Sequence, residues 1–170
     1  PAVIKATAEA LKRSAGCGVP TIKPWNMEII REKMELVKKS DPFAIAMDID
    51  AAGLPFLKNL TPPAGSKTVA ELKEIAAMAE KPFILKGIMT VAGAKKALEA
   101  GASGIVVSNH GGRVLDQCPA TADVLEEIVE AVGDRVTVLV DGGIRTGVDV
   151  FKAIALGAKG VIIARPYVTA

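Results

Sequence analysis

VLVDGGIRTGVDVFKAIALGAKGVIIARP, residues 138–166, is the stretch that decides the fold. Two short and almost continuously apolar runs, VTVLV (136–140) and GVIIA (160–164), frame a helical pattern over 147–157. Apolar runs without alternation are typical of parallel strands that are buried on both faces. The stretch therefore predicts a parallel β–α–β unit.

The same unit recurs along the chain. Strands are predicted at 18–23, 43–49, 82–88, 104–108, 136–140 and 160–164. Helices are predicted at 2–13, 26–39, 67–80, 91–100, 121–132 and 147–157, and a long loop at 50–66. Thr90 and Thr121 are expected to cap helix N-termini, and Gly101, Gly133 and Gly157 to end helices. Such a series forms either an open doubly wound sheet or a closed eight-stranded barrel.

Polar residues follow at least four of these strands, which favours the barrel. They are Asp48 and Asp50, Lys86, Ser108 through Arg113, and Asp141 through Arg145. A barrel builds its active site from several successive strand ends, whereas an open sheet binds its ligand at one switch point. We predict an α/β fold, a TIM (β/α)8 barrel, present as a single domain over 1–170 with about six of eight strands, strands 3 to 8. A complete barrel has about 250 residues, so we expect the N-terminal strands and the final helix to be missing.

The composition argues against several classes of protein. Half of the 170 residues are hydrophobic and the mean hydropathy is +0.35, yet no apolar run reaches the roughly 20 residues that span a bilayer. A net charge of +2 with few aromatic residues argues against a nucleic-acid-binding surface. Cys17 and Cys118 are too few and too far apart for a disulfide scaffold or a metal site. We therefore expect reduced thiols, no metal and a cytoplasmic location.

The segment after the fifth strand predicts an anion-binding site. Gly142 and Gly143 permit a tight turn and close approach of a ligand to the backbone. The helix that follows, starting near Thr146, is expected to offer free N–H groups, and ARP at 164–166 adds the guanidinium of Arg165. Barrels bind phosphate with the loops after strands seven and eight. The alternative is that the glycines only form a tight loop.

His110, the only histidine in the chain, follows the apolar run GIVVS and precedes two glycines and Arg113. A histidine at this position is a candidate general base, and Arg113 is a candidate fork for a carboxylate. Asp50, at another strand end, could hold the imidazole in one tautomer. Lys86 lies in an apolar strand, where an ammonium is costly unless it faces an anion or a polar ligand. The alternatives are a structural histidine and a lysine that reaches solvent.

Four motifs, LKGIMT, GIVVSNHGGRVLDQ, DGGIRTGVDVFKAIALGA and ARP, occur in this order across 82–166. In this combination the chain resembles the FMN-dependent 2-hydroxy-acid oxidase and dehydrogenase family, which includes glycolate oxidase, lactate oxidase and flavocytochrome-type lactate dehydrogenases. The resemblance implies a TIM barrel with FMN at its C-terminal face. It also implies oxidation of a small (S)-2-hydroxy acid, such as lactate or glycolate, to the 2-oxo acid.

The resemblance further implies a role for each motif residue. His110 would take a proton from the substrate, Arg113 would bind its carboxylate, and Asp50 would support His110. Lys86 would lie near the N1/O2 edge of the flavin, where negative charge develops on reduction, and Ser108 would contact the ring. The phosphate would be held at the strand end that carries Asp141, by Gly142, Gly143, Ile144, Arg145, Ala164 and Arg165.

The chain departs from the family pattern at three places. Asp48 stands where the family usually has a threonine near the flavin, so we expect Asp48 to contact the cofactor. Lys23 and Trp25 stand where the third strand usually presents a tyrosine, so we expect Lys23 to contact the substrate. The segment DIDAAGLPFLKN (48–59) lacks the second arginine that usually binds the substrate carboxylate. These changes affect the choice of substrate more than the binding of flavin.

Two alternatives remain open at this point. One is a different FMN barrel enzyme, similar to isopentenyl diphosphate isomerase, and the other is a truncated, non-catalytic barrel fragment. The expected partners are the hydroxy acid, an electron acceptor that the sequence does not identify, and further copies of the chain in a homo-oligomer. We expect no nucleic-acid partner.

Overall fold

The structure, a computed structural model, describes residues 9–11, 13, 17–59 and 61–169. Six parallel strands form one sheet in chain order. They are β1 Thr21–Ile22, β2 Ile45–Asp48, β3 Phe83–Ile88, β4 Gly104–Val107, β5 Thr137–Asp141 and β6 Gly160–Ile162. All six predicted strands are thereby confirmed, although β1 is shorter than its apolar run indicated.

Helices follow the strands, as the repeated unit predicted. They are α1 Met27–Lys38, α2 Pro55–Lys58, α3 Val69–Ala79, α4 Val91–Glu99, α5 Thr121–Val132, α6 Gly147–Ala155 and α7 Arg165–Val168. The predicted loop 50–66 was wrong in part, because a 3-10 helix, Ile49–Gly53, and α2 lie in its first half. Of the predicted helix 2–13, residues 9–11 and 13 are helical and the others lie outside the described residues.

One predicted helix cap was wrong. Thr90 caps α4 as expected, since its hydroxyl accepts the N–H of Gly93 at 3.0 Å. Thr121 is instead the first residue of α5, after the cap residue Ala120. Its hydroxyl donates to the carbonyl of Asp141 at 2.8 Å, so it ties α5 to the end of β5. The predicted glycines do follow α4, α5 and α6.

The sheet separates two environments. Met47, Leu85 and Ile105 are fully buried and belong to a core to which α1, α3, α4, α5 and α6 all contribute. Residues of the opposite alternation, such as Ala46 and Ile84, line a cavity instead. Neighbouring strands follow each other in sequence without a reversal of order. Helices on one face and an unreversed strand order are features of a barrel segment, not of a doubly wound sheet.

The barrel interpretation is thus confirmed as a parallel α/β sheet that makes up part of a barrel. The assignment of one domain to 1–170 stays a prediction. Within the part of the chain that the structure describes, none of the helices combines the length and the apolar character needed to cross a membrane.

Candidate active site

A cavity of about 1090 Å³ opens at the carboxyl ends of the strands. Most of the predicted site residues line it: Asp48, Lys86, His110, Arg113, Asp141, Gly142, Gly143, Ile144, Arg145, Ala164 and Arg165. The other three contact lining residues, because Lys23 binds Asp48, Asp50 binds His110, and Ser108 binds Lys86. The structure therefore brings every predicted site residue to one cavity.

Lys86 faces this cavity and not open solvent. Its side chain is 18% exposed, and its ammonium donates to the hydroxyl of Ser108 at 3.0 Å. The same nitrogen lies 3.4 Å from Oδ2 of Asp141 and 3.6 Å from Oδ1 of Asp48. The ends of β2, β4 and β5 thus supply polar partners for the ammonium of Lys86, and these partners offset the cost of shielding this cation from water.

Lys23 and Asp48 form a second ion pair beside Lys86. The ammonium of Lys23 donates to Oδ2 of Asp48, whose side chain is 8% exposed. Burial alone would raise the pKa of the Asp48 carboxyl, but the hydrogen bond and charge of Lys23, together with the charge of Lys86, outweigh burial and lower this pKa. Lys23 is therefore already paired within the protein.

The predicted pairing of His110 with Asp50 is present in the geometry. Nδ1 of His110 lies 3.0 Å from Oδ2 of Asp50, which stands in the 3-10 helix after β2. An ionised carboxylate only accepts hydrogen bonds, so the tautomer of the neutral ring that suits an ionised Asp50 carries its proton on Nδ1 and has a lone pair on Nε2. Burial raises the pKa of Asp50, against the opposing charges of His110 and Lys86.

The loop after β4 holds His110 by local hydrogen bonds. The backbone N–H of His110 donates to the Ser108 hydroxyl at 3.2 Å, and the Asn109 side chain accepts the N–H of Gly111 at 3.0 Å. Arg113 follows in the same loop, and its guanidinium carbon lies 5.7 Å from the ring centroid of Phe56, in the range of a cation–π contact.

The turn after β5 has the backbone shape that the double glycine predicted. Gly142 and Gly143 have φ angles of +90° and +79°, which other residues rarely adopt, and a side chain at Gly143 would meet only open space. One part of the prediction was wrong. The N–H groups of Arg145 and Thr146 are not free, because they donate to the carboxylate of Asp149 at 3.1 and 2.9 Å.

The remaining donors suit a phosphate ester. Arg145 and Arg165 line the cavity together with the open backbone of the glycine turn, and a Cβ atom at Gly111 would lie 3.2 Å from the guanidinium of Arg165. Oδ1 of Asp48 and Oδ1 of Asp141 are buried and have no hydrogen-bond partner among the described residues, so they are available as acceptors for a ligand's N–H groups. The cavity volume slightly exceeds the usual range of about 300–1,000 Å³ for small-molecule sites. These residues therefore fit a flavin mononucleotide.

Sequence reasoning missed several residues of the site. Phe56 lies in a segment predicted as loop, so no periodicity marked its ring as a neighbour of Arg113. The capping pattern around Asp149 is visible as Thr-x-x-Asp at 146–149 and could have been found. The pairing of Lys23 with Asp48 joins two strands and has no local signal.

A barrel segment whose strand ends combine a glycine turn, a lysine largely shielded from solvent and a histidine–aspartate contact belongs to the class of barrel proteins that carry a ligand site at the carboxyl ends of their strands. Comparison with known families specifies the class further. The FMN-dependent dehydrogenase family matches residues 20–170, and the chain belongs to this family. FMN is accordingly its cofactor, and the resemblance seen in the sequence motifs is confirmed.

Individual relatives agree with this assignment. A peroxisomal (S)-2-hydroxyacid oxidase of Arabidopsis thaliana is 54% identical over 98 residues, which are 58% of this chain and 27% of that protein. An FMN-dependent alpha-hydroxy acid dehydrogenase of Schizosaccharomyces pombe is 55% identical over 98 residues, 58% of this chain and 24% of that protein. The Arabidopsis relative is peroxisomal by name, and the cytoplasmic location expected for this chain stays a prediction.

Solved structures of oxidases share the fold. A mandelate oxidase variant with (S)-mandelic acid has a TM-score of 0.83 and 34% identity, and the match covers 94% of this chain and 52% of that one. A lactate oxidase of Pediococcus acidilactici has a TM-score of 0.81 and 33% identity, with 96% and 51% covered. The chain thus spans about half the length of these structures.

Proposed function

We propose that this chain forms the FMN site and the substrate-oxidising site of an enzyme that converts a small (S)-2-hydroxy acid, such as lactate or glycolate, to the 2-oxo acid. The observation that carries the proposal is the 3.0 Å contact between Nδ1 of His110 and Oδ2 of Asp50 at the cavity that Lys86 and Arg113 also line. Such a pair is the arrangement that general-base catalysis needs.

FMN would be held at both ends of the cavity. Arg145 and Arg165, with the backbone of the turn at 142–144 and of Ala164, would bind the phosphate. Lys86, Ser108, Asp48 and Asp141 would line the ring. When bound, FMN supplies the acceptor for the two electrons that leave the substrate. The charge of Lys86 would stabilise negative charge beside it.

The protein side chains would bind the substrate and move its proton. Arg113 would hold the carboxylate through two parallel hydrogen bonds, and the ring of Phe56 would limit the orientations of the guanidinium. Nε2 of His110 would accept a proton from the substrate, and Asp50 would stabilise the resulting imidazolium. This role of Asp50 would account for a largely buried carboxylate with a raised pKa at this position.

The number of carboxylates that the substrate carries would depend on the cationic side chains that are free to bind them. Lys23 is already paired with Asp48, which supports an indirect role for Lys23. In this role, Lys23 would affect the substrate by compensating the charge of Asp48 and not by contacting the substrate itself. Because 48–59 contains no arginine, Arg113 would be the main carboxylate fork. We therefore favour a 2-hydroxy acid with one carboxylate over a dicarboxylate.

Anaerobic reduction of the flavin tests this function. The FMN-loaded protein is mixed without oxygen with glycolate, L-lactate, D-lactate or a 2-hydroxy dicarboxylate, and the visible flavin absorption is followed. We expect glycolate and L-lactate to bleach the flavin, and D-lactate and the dicarboxylate to leave it oxidised. If no 2-hydroxy acid bleaches it, the proposed reaction is wrong, whereas the FMN site can still be correct.

A further inference from the structure

A β-bulge lies in β3 at Gly87, next to the site. Lys86 pairs with Val106 and Ile88 pairs with Val107, so Gly87 is the extra residue without a partner on β4. In a regular strand, residues 86 and 88 would face the same side. The bulge instead lets Lys86 face the cavity while Ile88 joins the core beneath the helices.

Gly87 also leaves a space that Asp50 fills. The φ angle of Gly87 is +101°, where residues with a side chain are rarely found. A Cβ atom at this position would lie 2.5 Å from Cγ, 2.6 Å from Cβ and 2.7 Å from Oδ1 of Asp50. Ordinary contacts between carbon atoms are about 3.5–4.0 Å. Any side chain at position 87 would therefore require Asp50 to move.

We propose that Gly87 is a positioning residue for the proposed catalytic pair: its missing Cβ seats the carboxylate of Asp50 against Nδ1 of His110. Asp50 and His110 come from loops after β2 and β4, and β3 lies between these two strands. The bulge in the middle strand therefore determines how closely the carboxylate of Asp50 can pack against β3, and with it the position at which this carboxylate contacts the imidazole of His110.

The displacement that a side chain would cause is large enough to affect the pair. Relieving the contact to an ordinary distance requires a shift of about 1 Å, which is roughly twice the range of about 2.7–3.2 Å over which N–H···O hydrogen bonds vary in length. The 3.0 Å contact of Asp50 with His110 would then be lost or distorted. The imidazole would no longer be held with its proton on Nδ1. This inference rests on the proposed function, but its test needs neither substrate nor FMN.

Nitrogen-15 spectroscopy of the imidazole tests the inference directly. The chain has one histidine, so a protein made without a histidine tag and labelled with ¹⁵N-histidine gives one pair of ring signals. For the neutral ring of the parent protein, we expect a protonated Nδ1 and an unprotonated Nε2. In Gly87→Ala, both signals should move toward those of Asp50→Ala, in which the acceptor is absent.

Gly101→Ala is the matched control. Gly101 has a φ angle of +84° and lies before β4, at the opposite end of the sheet. A Cβ atom there would meet the Cβ of Ala76 at 4.0 Å, which is an ordinary van der Waals contact. The substitution imposes similar backbone strain without touching the site, so the parent signals should persist. The inference is overturned if Gly87→Ala keeps the parent signals, or if Gly101→Ala changes them equally.

Thermal unfolding keeps the inference testable if Gly87→Ala is poorly folded. The melting temperature is compared for Gly87→Ala in the parent and in an Asp50→Gly background, where the crowded atoms are gone. We expect the loss of melting temperature to be clearly smaller in the second background. An equal loss in both would overturn the inference, since backbone strain alone would then explain the effect. Neither result depends on whether a hydroxy acid reduces the flavin.

Discussion

Asp48 and Asp50 are two positions apart and both are largely buried, but their pKa values move in opposite directions. At Asp48 burial is outweighed by two ammonium groups, whereas at Asp50 burial outweighs the charges of His110 and Lys86. The negative charge of Asp48 is therefore compensated by Lys23 and Lys86 of the same chain. Asp50, beside the imidazole of His110, is less well compensated, because burial disfavours its charged form more than the nearby cations favour it. A carboxylate with such a raised pKa is typical of a functional site.

The pair of Lys23 with Asp48 is expected to stabilise the fold. Lys23→Met should lower the free energy of unfolding by about 2 kcal/mol at neutral pH, because it leaves Asp48 buried with the more distant Lys86 as its main counter-charge. Urea denaturation measures this change. Lys73→Met, which breaks an exposed pair with Glu99, is the control and should change stability by less than about 0.5 kcal/mol.

The effect of Lys23→Met should depend on pH. Folding lowers the pKa of Asp48, so the stability that it contributes is present above the ordinary carboxyl value of about 3.9 and is lost as pH falls through the lowered value. The difference between Lys23→Met and the parent should accordingly shrink in strong acid. A destabilisation that stays constant from neutral pH into strong acid would mean that packing, and not charge, is responsible.

At the scale of elements, the turn between β5 and α6 carries the proposed phosphate site. The carboxylate of Asp149 occupies two N–H groups near the start of α6, so the arginines and the glycine backbone must do most of the binding. We predict that the protein binds FMN at least about tenfold more tightly than riboflavin. Fluorescence titration of both flavins measures this ratio.

Arg145→Gln tests the origin of that preference. It should weaken FMN binding while riboflavin binding stays nearly unchanged, since riboflavin has no phosphate. Arg135→Gln is a suitable control, because Arg135 lies before β5 at the other end of the sheet and pairs with Asp134. Equal affinities for the two flavins, or an equal loss for both in Arg145→Gln, would contradict the proposed phosphate site.

Elements with strong local patterns were predictable and those defined by distant contacts were not. The six strands are almost continuously apolar because helices cover one face and the other faces the interior of the barrel segment, so their runs of apolar residues marked them in the sequence. The 3-10 helix Ile49–Gly53 and α2 are too short to show a period, and Phe56 was missed with them. Asp50 and His110 were predicted as a pair because strand ends of a barrel converge. Gly87 within the apolar run PFILKGI is a sequence signal for a bulge that could have been found, whereas its packing against Asp50 depends on distant contacts and has no local signal.

On the scale of the whole molecule, α6 presents an apolar face to solvent. Val148, Phe151 and Ile154 recur at spacings of three residues and are 61%, 74% and 45% exposed. Contiguous exposed apolar surface marks a place where proteins associate. The chain spans about half the length of its solved relatives, so this face is a contact surface either for further elements of a barrel or for a second copy of the chain.

Phe151→Ser should reduce self-association of the purified chain, which light scattering measures over a range of concentrations. The reason is the loss of the most exposed aromatic ring on that face. Leu115→Ser is the control, because Leu115 is 65% exposed but lies in the loop after β4 and not on α6. If both substitutions have the same effect, or if neither has one, the face of α6 is not an association surface.

The measurement that tests the central claim most directly is the rate of anaerobic flavin reduction by glycolate or L-lactate in the parent protein and in His110→Gln. Glutamine keeps a polar side chain but cannot act as a base. We predict a fall on the order of 100- to 10,000-fold with FMN still bound. A variant that reduces its flavin at the parent rate would contradict the proposed base and would favour a different flavin reaction at this site.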